Sequence, residues 1–176
     1  MKTSKKGNKK VKKIKKKVVA VSGGFDPLHI GHIRLFQEAK KLGDELVVIL
    51  NNDHWLRKKK GSEFMVEEER KEIIEALQCV DRVIVSSHSK NINFKNVTDK
   101  SVCDDLAKIK PHIFANGGDR FADDIPEFKL CNKLGINMVF NVGHGGKVRS
   151  SSELLKNYTK KINPSSRAKL ATGQER

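Results

Sequence analysis

VVAVSGGFDPLHIGHIRLFQEAKKLGDELVVILN, residues 18–51, contains a strand, a turn, a helix and a second strand in one short reach. VVAVS (18–22) is a short β-branched run of the kind that makes a buried strand. Over residues 30–42, Ile33, Phe36, Ala39 and Lys40 recur at helical spacing, and Gly43 stops the pattern. ELVVILN (45–51) is the next strand. A strand joined to a second strand through one helix is a crossover unit, and crossovers build parallel sheets.

The same alternation continues outward. DHWLRKKKGSEF (53–64) has no clear period and reads as a mobile basic loop. VEEERKEIIEALQCV (66–80) is a helix, with acids in its first turn where the helix dipole favours them. DRVIVSS (81–87) is a third strand, SVCDDLAKI (101–109) a third helix, and PHIFANGGD a fourth strand running into a glycine turn. PEFKLCNKLG forms a fourth helix opened by Pro126. INMVFNV (136–142) is the fifth strand and SSSELLKNYTKK (150–161) a last helix with a serine cap. The expectation is an α/β, Rossmann-like, doubly wound parallel sheet of about five strands in a single domain. No internal repeat is present.

Length and charge set the boundaries. A chain of 176 residues with 37% hydrophobic content suits one globular domain. No apolar run approaches the roughly 18 residues of a membrane span, and no export signal precedes the first strand, so the expected location is cytoplasmic. Cys79, Cys103 and Cys131 are far apart and odd in number, which fits reduced thiols. The net charge of +15 is concentrated in residues 1–17, which hold ten lysines and no acid. The remainder has 26 basic against 21 acidic side chains. Residues 1–17 are therefore expected to be a disordered tail, 18–160 the folded domain and 161–176 a polar tail. The lysine tail is the one route to nucleic acid or anionic lipid, by charge alone, since no aromatic residue is interleaved to stack on bases.

Ligands of open α/β sheets sit at the carboxyl ends of the strands. His29 and His32 follow the first strand, Lys58 to Lys60 the second, Asn116 to Arg120 the fourth (with Gly118 and Asp119), and Arg149 to Ser152 the fifth. A helix start offers free N–H groups and partial positive charge to a phosphate. His29 and His32 can donate to one anionic group from the same turn, and Gly31 between them lets a ligand approach the backbone. Lys58, Lys59 and Lys60 are placed to fold over a polyphosphate. Arg70 would project from the second helix, and Arg149 with Ser150, Ser151 and Ser152 would form a second phosphate-binding helix start. No nucleophile–base pair is evident. Two histidines without a nearby Cys or acid do not complete a zinc site, so no bound metal is expected.

These motifs together resemble the cytidylyltransferase-like family of nucleotidyltransferases: GGFDPLHIGH, AKKLGDELVVILNND, KKKG, EEER, VDRVI, NGGDR and RSSSELL, in order from about Val18 to Tyr158. The resemblance implies transfer of CMP or AMP from CTP or ATP to a phosphorylated sugar, polyol or amino alcohol. Pyrophosphate would leave after direct in-line attack on the α-phosphate. It implies that His29, His32, Lys60 and Arg70 act on the reacting phosphates, with Lys58 the alternative lysine. Gly24, Phe25 and Asp26 would shape the loop beneath the nucleotide. Asp119 in NGGD would lie near ribose and base, with Asn116 and Gly118 beside it. Ser150 to Ser152, Ser151 foremost, would hold phosphate next to Arg149. Mg²⁺ is implied on the triphosphate and not in a protein cage. Many members are homodimers, but no interface is legible in the sequence. Gly24 replaces the usual Thr or Cys, and RSSS the commoner I-S-T-T.

Glycerol-phosphate cytidylyltransferases and heptose-phosphate adenylyltransferases both share the G-D turn, which leaves CTP and ATP open. HIGH is also a signature of class I aminoacyl-tRNA synthetases, whose further domains a chain of this length has no room for. A second alternative is a degenerate nucleotide fold that binds polyanions through its tail.

Overall fold

The computed structural model describes residues 16–93, 95–118, 125–143 and 149–162. Its elements run β1 (Val18–Gly23), α1 (Ile30–Lys40), β2 (Glu45–Leu50), α2 (Asp53–Lys60), α3 (Glu67–Glu75), β3 (Arg82–Val85) and α4 (Val97–Lys100). The order continues with α5 (Cys103–Ile109), β4 (Ile113–Gly117), α6 (Glu127–Leu134), β5 (Asn137–Val142) and α7 (Ser151–Ile162). All five strands are parallel, in the order β3-β2-β1-β4-β5. This is the expected Rossmann-like sheet, with the order in which strands are added reversing between β1 and β4.

Both faces of the sheet are covered, which is why its strands read as continuous apolar runs. Val19 and Val21 of β1, with Leu46, Val48 and Leu50 of β2, pack beneath Leu35, Phe36 and Ala39 of α1 and Ile74 of α3. The alternate residues Ala20, Ile49 and Phe114 meet Leu106 of α5 and Cys131 of α6 on the other face. Burial pushes the Cys131 thiol up to about 11, so it stays a protonated core group.

At the amino end of the sheet the chain is fastened by backbone. The Lys17 N–H donates to the Asp44 carboxylate at 2.7 Å, and the Lys17 carbonyl accepts from Asp44 and Glu45. Gly43 sits so close that a Cβ would lie 2.5 Å from the Lys17 oxygen. Only glycine lets the two segments meet there.

Two sequence expectations need correcting. Residues 53–60 are a helix, not a mobile loop. Asn52 caps it, its Oδ1 accepting from the Trp55 N–H at 3.0 Å, and Gly61 ends it at φ +92°. With only Trp55 and Leu56 as its apolar residues, no period was visible, yet both are buried against Ile92. The helix expected over 66–80 is shorter, ending at Glu75. α4 is an additional single turn that the sequence did not reveal.

Candidate nucleotide site

A cleft of about 380 Å³ opens over the carboxyl ends of β1, β2, β4 and β5, at the reversal point of the sheet. Its floor is the Gly23–Phe25 turn and the start of α1. His29 caps that helix, its Nδ1 accepting from the Gly31 N–H at 3.1 Å, and the His32 Nδ1 accepts from the His29 N–H at 3.3 Å. The two rings stack with centroids 3.7 Å apart, and the edge of Phe25 braces His32 at 5.0 Å. Phe25 itself adopts φ +48°, a left-handed conformation that a bulky residue rarely takes.

With each Nδ1 spent as an acceptor, the proton of a neutral ring sits on Nε2, so both imidazoles are donors. Both are neutral. Burial first, then the neighbouring His29 ring, which cannot share a second proton with it, and the Lys60 charge push His32 down to about 3. Burial and Arg149 lower His29 as well. Gly31 is needed for His29 as much as for any ligand, since a Cβ there would lie 3.0 Å from the imidazole.

α2 forms the next wall. The Lys60 ammonium donates to the Asp26 carbonyl at 2.9 Å, and burial lowers its affinity for its proton, an effect the Asp26 charge opposes and Arg70 reinforces. Lys59, 4.4 Å above the Trp55 ring, also lines the cleft. Lys58 is exposed on the same helix and does not line it. Asn52 also donates from Nδ2 to the Ser86 and His88 carbonyls, and Trp55 Nε1 donates to the Lys100 carbonyl at 3.3 Å. The lysine helix is thus held from behind before any ligand arrives.

Arg70 does not project into the cleft. It is 1% exposed, and its guanidinium is consumed beneath the site. Nε donates to the Met65 carbonyl, Nη1 to those of Gly24 and Asn51, and Nη2 to the Asp53 carboxylate at 2.5 Å. It ties the ends of β1 and β2 to the starts of α2 and α3. Asp26 is likewise committed, accepting from the Phe64 and Met65 N–H groups at 2.8 and 2.9 Å. Gly24 leaves room for Leu56, whose Cδ2 would lie 2.7 Å from an added Cβ.

Across the cleft lie Asn116, Gly117, Gly118, Gly143, Arg149 and Ser150 to Ser152. Ser151 Oγ donates to the Pro27 carbonyl at 3.0 Å, so this helix start is joined to the turn that carries the histidines. Asp119 and Arg120, expected at the cleft from the sequence, lie outside the described residues, as do Met1 to Lys15 of the lysine tail. Of the expected residues, the fold brings His29, His32, Lys60, Gly24, Phe25, Gly31, Asn116, Gly118, Arg149 and the three serines to one cleft.

The sequence reading did not name Arg34 or Asn51 as cleft residues, and it placed Lys59 with its neighbours over a polyphosphate without a role of its own. Arg34 lies one helical turn beyond Gly31, a spacing that places both on one side of α1. Among the described lining residues there is no carboxylate, while Arg34, Lys59, Lys60 and Arg149 bring formal positive charge. No group of three His, Cys, Asp or Glu among the described residues is arranged to hold a metal ion. The described lining is thus cationic and complementary to an anion. Among the same residues, no helix is long and apolar enough to cross a membrane.

The chain is similar to known proteins over most of its length. A family model described as Cytidylyltransferase-like matches residues 20–141. The Bifunctional protein HldE of Streptomyces coelicolor is 37% identical over 140 residues, 78% of this chain and 27% of that protein. The same-named protein of Pelobacter propionicus is 34% identical over 122 residues, 68% of this chain and 23% of its own length. The chain thus spans about a quarter of these relatives. FAD synthase of Aciduliprofundum boonei is 34% identical over 120 residues, 68% of this chain and 73% of that enzyme. The crystal structure of a lipopolysaccharide core biosynthesis protein from Thermoplasma volcanium superposes with a TM-score of 0.58 at 32% identity, covering 74% of this chain and all of that one.

Proposed function

The chain belongs to the cytidylyltransferase-like family, and on that footing we propose that it is a nucleotidyltransferase moving AMP or CMP from ATP or CTP onto a phosphorylated small molecule. The observation that carries this reading is the pair of stacked, neutral, Nε2-protonated imidazoles at the α1 start, beside a wall of lysines in a cleft whose described lining holds no carboxylate.

An acceptor phosphate oxygen attacks the α-phosphorus, the bond to the β-phosphate oxygen breaks, and pyrophosphate leaves. No proton has to be abstracted from a phosphate nucleophile, so the site needs no general base. It needs alignment and donors where negative charge grows. His29 and His32 donate from Nε2 to the phosphates, and Lys60 neutralises charge on the leaving group. Arg149 and Ser150 to Ser152 close the triphosphate from the other side. None of the lining serines is bonded to an imidazole, which favours direct displacement over a covalent enzyme intermediate. Mg²⁺ comes as part of the substrate on the triphosphate oxygens, and no residue of this chain is assigned to it. Arg34 and Lys59 supply further cationic surface, which suits an acceptor that is itself a phosphate ester.

FAD is an adenine dinucleotide, so the relatives named FAD synthase make ATP the first donor to try. The test incubates the full chain with Mg²⁺ and either ATP or CTP against a panel of sugar, polyol and amino-alcohol phosphates. Pyrophosphate release is followed, and nucleotide binding is measured by calorimetry. Selective binding of one triphosphate, with release that depends on one acceptor class, is the expected result. A folded protein that binds neither triphosphate overturns the assignment and leaves the polyanion-binding alternative.

A further inference from the structure

α2 is eight residues long and ends in four consecutive cations, Arg57 to Lys60. So short a helix is not stable in water by itself. Its place in the cleft wall is set from its start, where every polar group of the cap is in use. Asn52 Oδ1 accepts from the Trp55 N–H, and Nδ2 donates to the Ser86 and His88 carbonyls at 3.2 and 2.7 Å. The Asn52 carbonyl accepts from the Leu56 N–H, and its own N–H donates to Ser86 Oγ at 3.1 Å.

Behind that cap stands the half-buried ring of His88. Its Nδ1 lies 2.7 Å from Ser86 Oγ, its Nε2 2.9 Å from the Ser101 carbonyl oxygen, and its centroid 6.0 Å from that of Trp55. A carbonyl can only accept, so Nε2 carries the proton and Nδ1 is an acceptor. The Ser86 hydroxyl therefore donates to Nδ1, which leaves its oxygen to accept from Asn52. The bonds run in one sense, from Asn52 to Ser86, from Ser86 to His88 and from His88 to Ser101, and bonds aligned in this way strengthen one another. A second route returns to α2 from the neighbouring residue, because the Lys100 carbonyl accepts from Trp55 Nε1 at 3.3 Å.

Only the neutral ring completes this relay. A proton on Nδ1 would leave the Ser86 hydroxyl without its acceptor. Burial lowers the ring's affinity for that proton, and the bond to the Ser101 carbonyl and the charges of Asp105, Asp99 and Glu127 oppose the effect only in part. Those three carboxylates are engaged by the N–H groups of Ser87, Asn93 and Val102. Of the cations, Lys100 adjoins Ser101 in sequence and Lys59 lies over the Trp55 ring.

We propose that His88 is a positioning residue for the cleft: its ring joins Ser86 and Asn52 on one side to Ser101, Lys100 and Trp55 on the other, and so holds α2 where Lys59 and Lys60 meet a polyphosphate. His88 does not line the cleft itself. The inference rests on the reading of that cleft as a triphosphate site.

Calorimetric titration of the full chain with Mg²⁺–ATP and with Mg²⁺–tripolyphosphate, which lacks the base, tests it at about pH 8, where the ring is neutral. His88→Phe keeps a ring against Trp55 but loses both bonds, and should raise both dissociation constants about tenfold. His88→Asn gives up the ring but keeps an acceptor oxygen for the Ser86 hydroxyl, and should stay within about threefold of the parent. A role in packing alone would reverse that order. Ser86→Ala leaves the ring in place and cuts the relay beside the cap. It should match His88→Phe, and it carries the same test if His88→Phe does not fold. Trp55 is the one tryptophan of the chain, so its fluorescence reports on the ring beside it. The parent should show a quenching step on acidification, with its midpoint below that of free histidine, and both His88 variants should lack it. A parent that binds neither polyphosphate overturns the assignment of the cleft and this inference with it. A parent that binds them, with His88→Phe within about twofold of it or His88→Asn no better than His88→Phe, overturns this inference alone. So does a quenching step that persists without His88.

Discussion

The floor of the cleft and the lysine wall beside it are made rigid by different means. At the α1 start the histidines are held by their own backbone, through bonds reaching two and three residues along the chain. At α2 the helix that carries the lysines is held by partners 34 to 45 residues away: Asp26 through Lys60 in front, Ser86 and His88 through Asn52 and Lys100 through Trp55 behind. The local device survives as long as its turn does. The distant one depends on the whole sheet being assembled, and Arg70 is the clamp through which that assembly reaches the site. Preorganisation in one cleft thus has two origins, and substitutions should separate them.

The largest effect is expected at the clamp. Arg70→Ala leaves the Asp53 carboxylate and three carbonyls without their buried donor, at a cost of about 3 kcal/mol in a urea unfolding measurement. Arg57, 3.7 Å from the same carboxylate, compensates only in part. Next comes His32→Ala, which should lower turnover about 10²- to 10³-fold while barely moving the unfolding midpoint. Turnover near the parent value would remove His32 from the mechanism. Asn52→Ala strips the α2 cap and its two bonds to the β3–α4 segment. It should cost about 1 to 2 kcal/mol and speed tryptic cleavage at Lys58 to Lys60 about tenfold.

The smallest effect is one of pH. His32 titrates at about 3 in the folded chain, well below its ordinary value, so the unfolded chain takes up the proton first. Stability contributed by the neutral ring is complete above the unfolded value and is lost as pH falls towards 3. Between pH 7 and 5 the parent should lose on the order of 1 kcal/mol more than His32→Gln, read from paired urea titrations at the two pH values. Equal losses would mean that the ring is not held neutral by its surroundings.

The same division explains what could be read without coordinates. The strands were legible because each is a short apolar run, buried on both faces. The HIGH turn was legible because every partner lies within three residues. α2 was misread because its apolar face is only Trp55 and Leu56, and its supports are remote in sequence. Arg70 carried a signal that went unused. It stands four residues before Ile74 and seven before Leu77, on the stripe by which α3 faces the core, so its side chain had to go inward. Its carbonyl partners come from three separate turns, which no periodicity encodes. Lys59 could not be told from Lys58 and Lys60 until the helix fixed which way each side chain left the axis.

The Lys17 anchor has a practical consequence. β1 is six residues long, so the point where the chain enters the fold lies about 20 Å from the cleft, at the opposite pole of the sheet. An affinity handle or a surface tether joined ahead of Lys16 therefore leaves the nucleotide face open to solution. Immobilised protein would present its cleft outward, ready for screening small anions by changes in surface mass.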